Sequence, residues 1–199
     1  IAQKLQRDIM VGHELRVAAS INGAAFNATA QTGGAMSDEL VAKPISSIQN
    51  AGERLNGNGF YDSLALIIET TLFNEMINTL DVRGIFNGNG QYTNRQVTLD
   101  ALGVNQIILC PTRYNSAAKG KAAARTKIWS DSTYFVGQVG GGDFANGGFG
   151  RTLAYSPDGG VFSAESYRDE PIKSDVLRVF NSVDEAIINT NACEKITGA

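Results

Sequence analysis

The chain has 199 residues, with 20 acidic side chains against 17 basic ones, a net charge of −3 and a hydrophobic share of 43%. That composition excludes charge-driven disorder, and a pI near 5.2 excludes the basic groove that dominates nucleic-acid affinity, although Lys119 to Lys127 carries four positive charges. Only 19% of residues are charged, below the rough one-quarter of an average soluble domain, so much of the surface is neutral and suited to becoming interface.

At 21.2 kDa the chain is expected to bury about 70% of its unfolded surface, enough for one core or two lobes without stapling. Two cysteines, Cys110 and Cys193, make no disulfide framework and fit a reducing compartment. The longest apolar runs, Leu64 to Ile68 and Ile107 to Cys110, fall far short of the roughly 18 residues that span a bilayer, so no membrane segment is expected. The chain opens at Ile1 with neither Met nor a basic-then-apolar leader, which reads as a processed or incompletely represented N-terminus.

Ile1 to Ser20 has no Pro and only Gly12, which predicts a helix of about five turns. Ala2, Leu5, Ile9 and Gly12 form one stripe and Val11, Leu15 and Ala18 another, so this helix is expected to have neighbours on two sides. Ile21 to Gly34 lacks periodicity and reads as a loop or weak hairpin at a lobe boundary. Pro44, Ile45, Ile48, Gly52 and Leu55 predict a helix with Pro in its first turn, closed by Asn56 to Gly59. Leu64 to Glu69 is a compact buried strand. Thr70 or Thr71 is the expected cap of one helix in which Leu72, Phe73, Met76, Ile77 and Leu80 repeat at helical spacing as far as Gly84.

The tetrapeptide Asn56 to Gly59 recurs at Asn87 to Gly90, and without a third copy this is turn chemistry, not a repeat. Short β-rich runs follow at 105–110, 127–130, 133–139, 151–156, 161–167, 175–180 and 194–197, with a hairpin signal at Asp158-Gly159. Helices come first and strands later, so the expected fold class is α+β.

No side-chain constellation announces catalysis. The Gly-rich segment Gly137 to Gly150 follows a strand, but it lacks a Gly-Lys-Ser/Thr end, no helix pattern follows it, and Phe144 and Phe149 interrupt it. Those two phenylalanines point instead to a loop that something covers. His13 is the sole histidine and lies inside the first helix, where a hydrolytic base has no partner in sequence. Cys110 precedes Pro111 in an apolar run and Cys193 has no nearby base. The pairs Asp38-Glu39, Asp169-Glu170 and Asp184-Glu185 point apart on any regular element, so they present no paired oxygens for acid–base work or a metal. The Asn27-Ala28-Thr29 triplet matches a glycosylation sequon that nothing else supports. Catalytic, cofactor-binding and metal-ligating residues are therefore all expected to be none.

The order of elements resembles the major capsid proteins of tailed double-stranded-DNA bacteriophages, a fold shared with encapsulins and herpesvirus capsid floors. Ile1 to Ser20 lies where that family has its long spine helix. Pro44 to Ile48, Asp62 to Ile68, Phe73 to Ile77 and Arg83 to Phe86 resemble its helix, strand, helix and Gly-aromatic turn. Leu102 to Val104, Ile107 to Pro111 and the pair within Ile128 to Val139 continue in the same order, and Glu165 to Glu170 with Lys173 to Val179 resemble its acidic-basic turn and returning strand.

The resemblance implies a peripheral domain over 1–36 and 165–199, with the spine helix in the first part, and an axial domain over 37–164. It also implies a non-enzymatic subunit of an icosahedral phage or prophage head, located in the virion capsid and made in the bacterial host cytoplasm. The implied partners are identical subunits in hexamers and pentamers, scaffolding, portal or decoration proteins, and packaged DNA only indirectly; no cofactor and no membrane enter. An encapsulin-like compartment shell is the runner-up, and a small-ligand-binding protein or enzyme using Gly137 to Gly150 is the alternative from another class. Some family members cross-link subunits through Lys, Asn and Glu. Here Ser174 and Asn181 occupy the Asn and Glu places, and the family's arm and hairpin before the spine helix, where the Lys would lie, are not in this chain, so cross-linking is not expected. The expected assembly contacts are Arg168, Asp169, Glu170, Phe144 and Phe149. Alternating charges at 168–170 can set the register between identical copies.

Overall fold

The strand β2 (Leu64–Glu69) is buried at all six positions, because both faces of its sheet are covered. A computed structural model describes residues 2–60, 63–86, 99, 102–140, 148–155 and 163–199. The Asn87 to Gly90 copy, the Asp158-Gly159 turn signal and Phe144 lie outside the described residues.

Contacts within the chain divide it into two compact units. Unit 2 (24–112, 129–150 and 187–199) is built on a five-stranded mixed sheet. Its strands are β1 (Asn27–Ala30), β2, β3 (Gln106–Cys110), β6 (Thr133–Gln138) and β11 (Cys193–Thr197), in the order β1-β11-β6-β2-β3. β1 runs parallel to β11 and β2 parallel to β3, whereas β6 is antiparallel to both of its neighbours. Alternation sends Leu64, Leu66, Ile68, Tyr134, Val136 and Ile196 into the main core. There they meet Ile45, Ile48, Ala51 and Leu55 of helix α2 (Pro44–Gly57), Leu72 and Met76 of α3 (Thr70–Asn78), and Val82 of α4 (Leu80–Phe86).

The segment 21–34, expected to be a loop or weak hairpin, contains strand β1, which pairs not within the segment but with β11. The four residues of β1 carry no large apolar side chain, and what makes it a strand is its register with β11, Asn27 opposite Glu194 and Ala30 opposite Thr197. The expected single helix from Thr70 to Gly84 is two helices, and its cap is neither threonine. The buried Glu69 is the N-cap, its carboxylate accepting from Thr71 N and from Leu72 N at 3.2 Å. Thr79, with ψ 147°, breaks the run: its Oγ1 donates to Met76 O at 2.7 Å and accepts from Val82 N at 3.5 Å, closing α3 and opening α4.

Unit 1 (1–23, 113–128 and 151–186) holds α1 (Ala2–Gly23), about 33 Å long at 1.5 Å per residue, and three two-stranded sheets. These pair β4 (Arg113–Asn115) with β5 (Arg125–Lys127), β7 (Gly150–Ala154) with β10 (Val183–Ile187), and β8 (Ser163–Asp169) with β9 (Ser174–Phe180). The run expected at 127–130 shifts back to 125–127, where Arg125 and Lys127 pair with Asn115 and Arg113. Strand β10 contains the Asp184-Glu185 pair, carboxylates that the sequence leaves solvated or salt-bridged.

Candidate assembly surfaces

The two units differ in how they are held. Unit 2 contains the whole apolar core cluster, whereas Ala18 and Ile21 are the only buried apolar residues of unit 1 among those described. Leu5, Ile9, Val11, Leu15 and Val17 of α1 are only half-buried, and Met10 is exposed. The strands and adjoining turns of unit 1 also leave Leu153, Tyr155, Tyr167, Ile172, Leu177 and Phe180 exposed. An isolated two-stranded sheet is marginal in water, so surfaces of this kind gain stability when something covers them.

The hairpin β8–β9 is the clearest instance. Its register sets Arg168 opposite Asp175, Tyr167 opposite Val176, Ser166 opposite Leu177 and Glu165 opposite Arg178. The guanidinium of Arg168 donates to Glu170 Oε1 at 2.8 Å and to Asp175 Oδ1 at 3.4 Å. Arg178 donates to Glu165 Oε1 at 3.3 Å and lies 5.3 Å from the centre of the Phe180 ring. Arg168, Asp169 and Glu170 thus close the end of a hairpin inside unit 1, where Asp169 pairs with Ser174 and Lys173 turns the chain with φ +49°. Ion pairs this exposed contribute little to the stability of one chain.

Polar side chains tie α1 to β10. Glu185 accepts from Arg16 Nε at 3.1 and 3.2 Å and lies 2.7 Å from His13 Nδ1, with its side chain 11% exposed. Burial alone would raise the Glu185 carboxyl, but the hydrogen bonds and charges of Arg16 and His13 outweigh it and hold the group below the usual carboxylate value. Sequence reasoning leaves His13 a capped or solvated helix histidine and misses this link, because its partner is 172 positions away.

Phe149 is buried in unit 2 and meets Phe26 edge-on, with ring centres 5.9 Å apart, so its cover comes from its own chain. The glycines around it serve close packing. A Cβ on Gly137 would come within 2.9 Å of the Phe149 ring, 3.1 Å of Cys193 Sγ and 3.2 Å of Ala192 O. One on Gly148, which has φ +44°, would lie 2.5 Å from Gln138 O. Both cysteines are buried and neither is in a disulfide, and burial, with Glu194 beside it, pushes the Cys193 thiol up, away from the reactive thiolate. Among the described residues no cluster of three or more metal-ligating side chains occurs, and no helix is long and apolar enough to cross a membrane.

This arrangement of a long helix, two-stranded arms and a mixed sheet roofed by helices has counterparts among solved structures. A phage-related protein from Bordetella bronchiseptica RB50 matches 100% of this chain and 66% of its own, with a TM-score of 0.79 at 15% identity. The chain has the phage major-capsid fold. A virus-like particle protein from Pyrococcus furiosus matches 98% of the chain and 65% of its own, with a TM-score of 0.59 at 13% identity. The chain thus spans about two thirds of the length of each. No protein-family model and no curated protein sequence matches it.

Proposed function

We propose that the chain is a non-enzymatic structural subunit of a phage or prophage capsid that self-assembles with identical copies into hexamers and pentamers of a closed head. The observation that carries this reading is the contrast between the units: among the described residues one has a full apolar core, and the other buries only Ala18 and Ile21 while exposing apolar side chains on a long helix and narrow hairpins. Subunits of a shell need such surfaces, since many weak lateral contacts are multiplied by symmetry. The low charged share and the likeness to a virus-like particle protein support the same reading.

In this reading the axial domain is 37–164, of which 37–112 and 129–150 lie in unit 2, and the peripheral domain is 1–36 with 165–199, which includes the spine helix and hairpin β8–β9. Arg168, Asp169 and Glu170 are lateral contacts that fix register. Phe144 keeps its place as an assembly contact, while Phe149 acts through the packing it supports. The product is a virion capsid formed in the host cytoplasm, with scaffolding, portal or decoration proteins as further partners.

An encapsulin-like compartment shell would use the same surfaces, and the likeness to the Pyrococcus furiosus particle keeps it as the second reading. Particles purified from the native source separate the two. Encapsidated genomic DNA is the expected content; a co-purified enzyme cargo without DNA would replace the phage reading by the compartment one.

A further inference from the structure

We propose that hairpin β4–β5 is a contact for the phosphate backbone of nucleic acid. Between Pro111 and Ser130 there is no acidic residue, while Arg113, Lys119, Lys121, Arg125 and Lys127 concentrate five positive charges in a chain of net charge −3. Register places Arg113 directly opposite Lys127, and Asn115 opposite Arg125. Directly paired residues project from the same face of a two-stranded ribbon, so three of these cations share one face and Tyr114 and Thr126 take the other.

The ribbon is built to hold the charges out. Asn115 Oδ1 accepts from Ala117 N at 3.2 Å and from Ala124 N at 2.9 Å, pinning both ends of the tip. Ser116 N donates to Ala124 O at 2.8 Å, and Ser116 Oγ lies 2.8 Å from Thr126 Oγ1. Lys119, Lys121 and Arg125 are exposed, and the tip between them consists of Ala and Gly, which let a phosphate approach the backbone.

The alternative occupant is an acidic face on a second copy. The acidic residues of the chain occur singly or in adjacent pairs, and Glu165, Glu170 and Asp175 of the β8–β9 hairpin are already faced by Arg168 and Arg178. Phosphodiester, with one charge in every repeat, is the better match to a run of cations that no carboxylate interrupts. The mildly acidic chain as a whole argues only against a large basic groove, not against a local arm.

The test is fluorescence anisotropy of unassembled full chain with short labelled single-stranded DNA, duplex DNA and RNA, from about 50 to about 200 mM salt. The variant Arg113→Gln, Lys119→Gln, Lys121→Gln, Arg125→Gln should melt as the parent does and bind at least tenfold more weakly at the low-salt end. Its log–log salt dependence should flatten by about 0.9 for each duplex phosphate that is no longer neutralised, or about 0.7 on a single strand. Exchanging Lys and Arg at the same four positions should preserve binding, because charge rather than shape is read. Equal affinity and slope for the Gln variant and the parent, or no salt-dependent binding by the parent, overturns the proposal. A Gln variant that binds nucleic acid normally but associates less with itself overturns it in favour of the second-copy contact. Because the assay uses unassembled subunits, its outcome is separate from whether the chain closes into a shell.

Discussion

Glu194 is 1% exposed, and what answers its charge is Arg54 Nε at 3.1 Å and Thr29 Oγ1 at 3.4 Å, both on Oε2. Its Oε1 is buried without a hydrogen-bond partner among the described residues. Removing the guanidinium strands a buried carboxylate, whereas neutralising the carboxylate leaves an arginine 40% exposed and able to meet water. Arg54→Ala is therefore expected to lower the unfolding free energy by about 2–3 kcal/mol and Glu194→Gln by about 1 kcal/mol. Urea denaturation that ranked the two in the opposite order would contradict this. Glu185 gives a pH dependence with a defined sign. Its carboxyl lies below the ordinary value when folded, so its stabilisation is complete above about pH 4.5 and is lost as pH falls through the lower folded value. Glu185→Gln should flatten the acid limb of melting temperature against pH between about 5 and about 3, and limbs of equal steepness would show that the link to α1 carries no net charge effect.

At the scale of elements, Gly137 in β6 faces Phe149, Cys193 and the Ala192 carbonyl at distances that leave no room for a methyl group. Gly137→Ala is expected to destabilise unit 2 by about 1–3 kcal/mol, since a backbone carbonyl cannot move aside as a side chain could. A melting temperature equal to the parent's would mean that β6 and β11 separate more easily than their packing implies. The same neighbourhood marks where sequence reading succeeds and where it stops. The unbroken apolar run of β2 and the Pro44 start of α2 are local signals, and both elements form where they are expected. β1 is invisible from its own residues because its pairing partner, β11, lies at the far end of the chain. The break at Thr79 and the cap by Glu69 are missed for another reason: apolar spacing continues across both, and only side-chain hydrogen bonds to the backbone decide them. The Gly-rich segment shows its composition in the sequence, but the packing role of Gly137 needs the position of Cys193. Of the candidate contacts, the charges at 168–170 are legible as a turn, while their pairing with Asp175 follows from the register of β8–β9.

For the whole molecule, the described residues give one unit a full apolar core and the other only Ala18 and Ile21, and in the shell reading neighbouring copies cover what the second unit exposes. Arg168→Glu replaces an attraction to Glu170 and Asp175 by repulsion at a hairpin end where all three side chains are more than half exposed. The melting temperature of the isolated chain should hardly move, because exposed pairs are worth about 1 kcal/mol or less, while the yield of regular particles should fall. Normal particle yield together with early melting of the monomer would make these residues intramolecular only. The measurement that bears most directly on the shell reading is light scattering of the full-length protein, combined with electron microscopy of the same sample. The account predicts closed particles of uniform diameter and a mass many times that of one subunit; a protein that stays strictly monomeric under every assembly condition would contradict it.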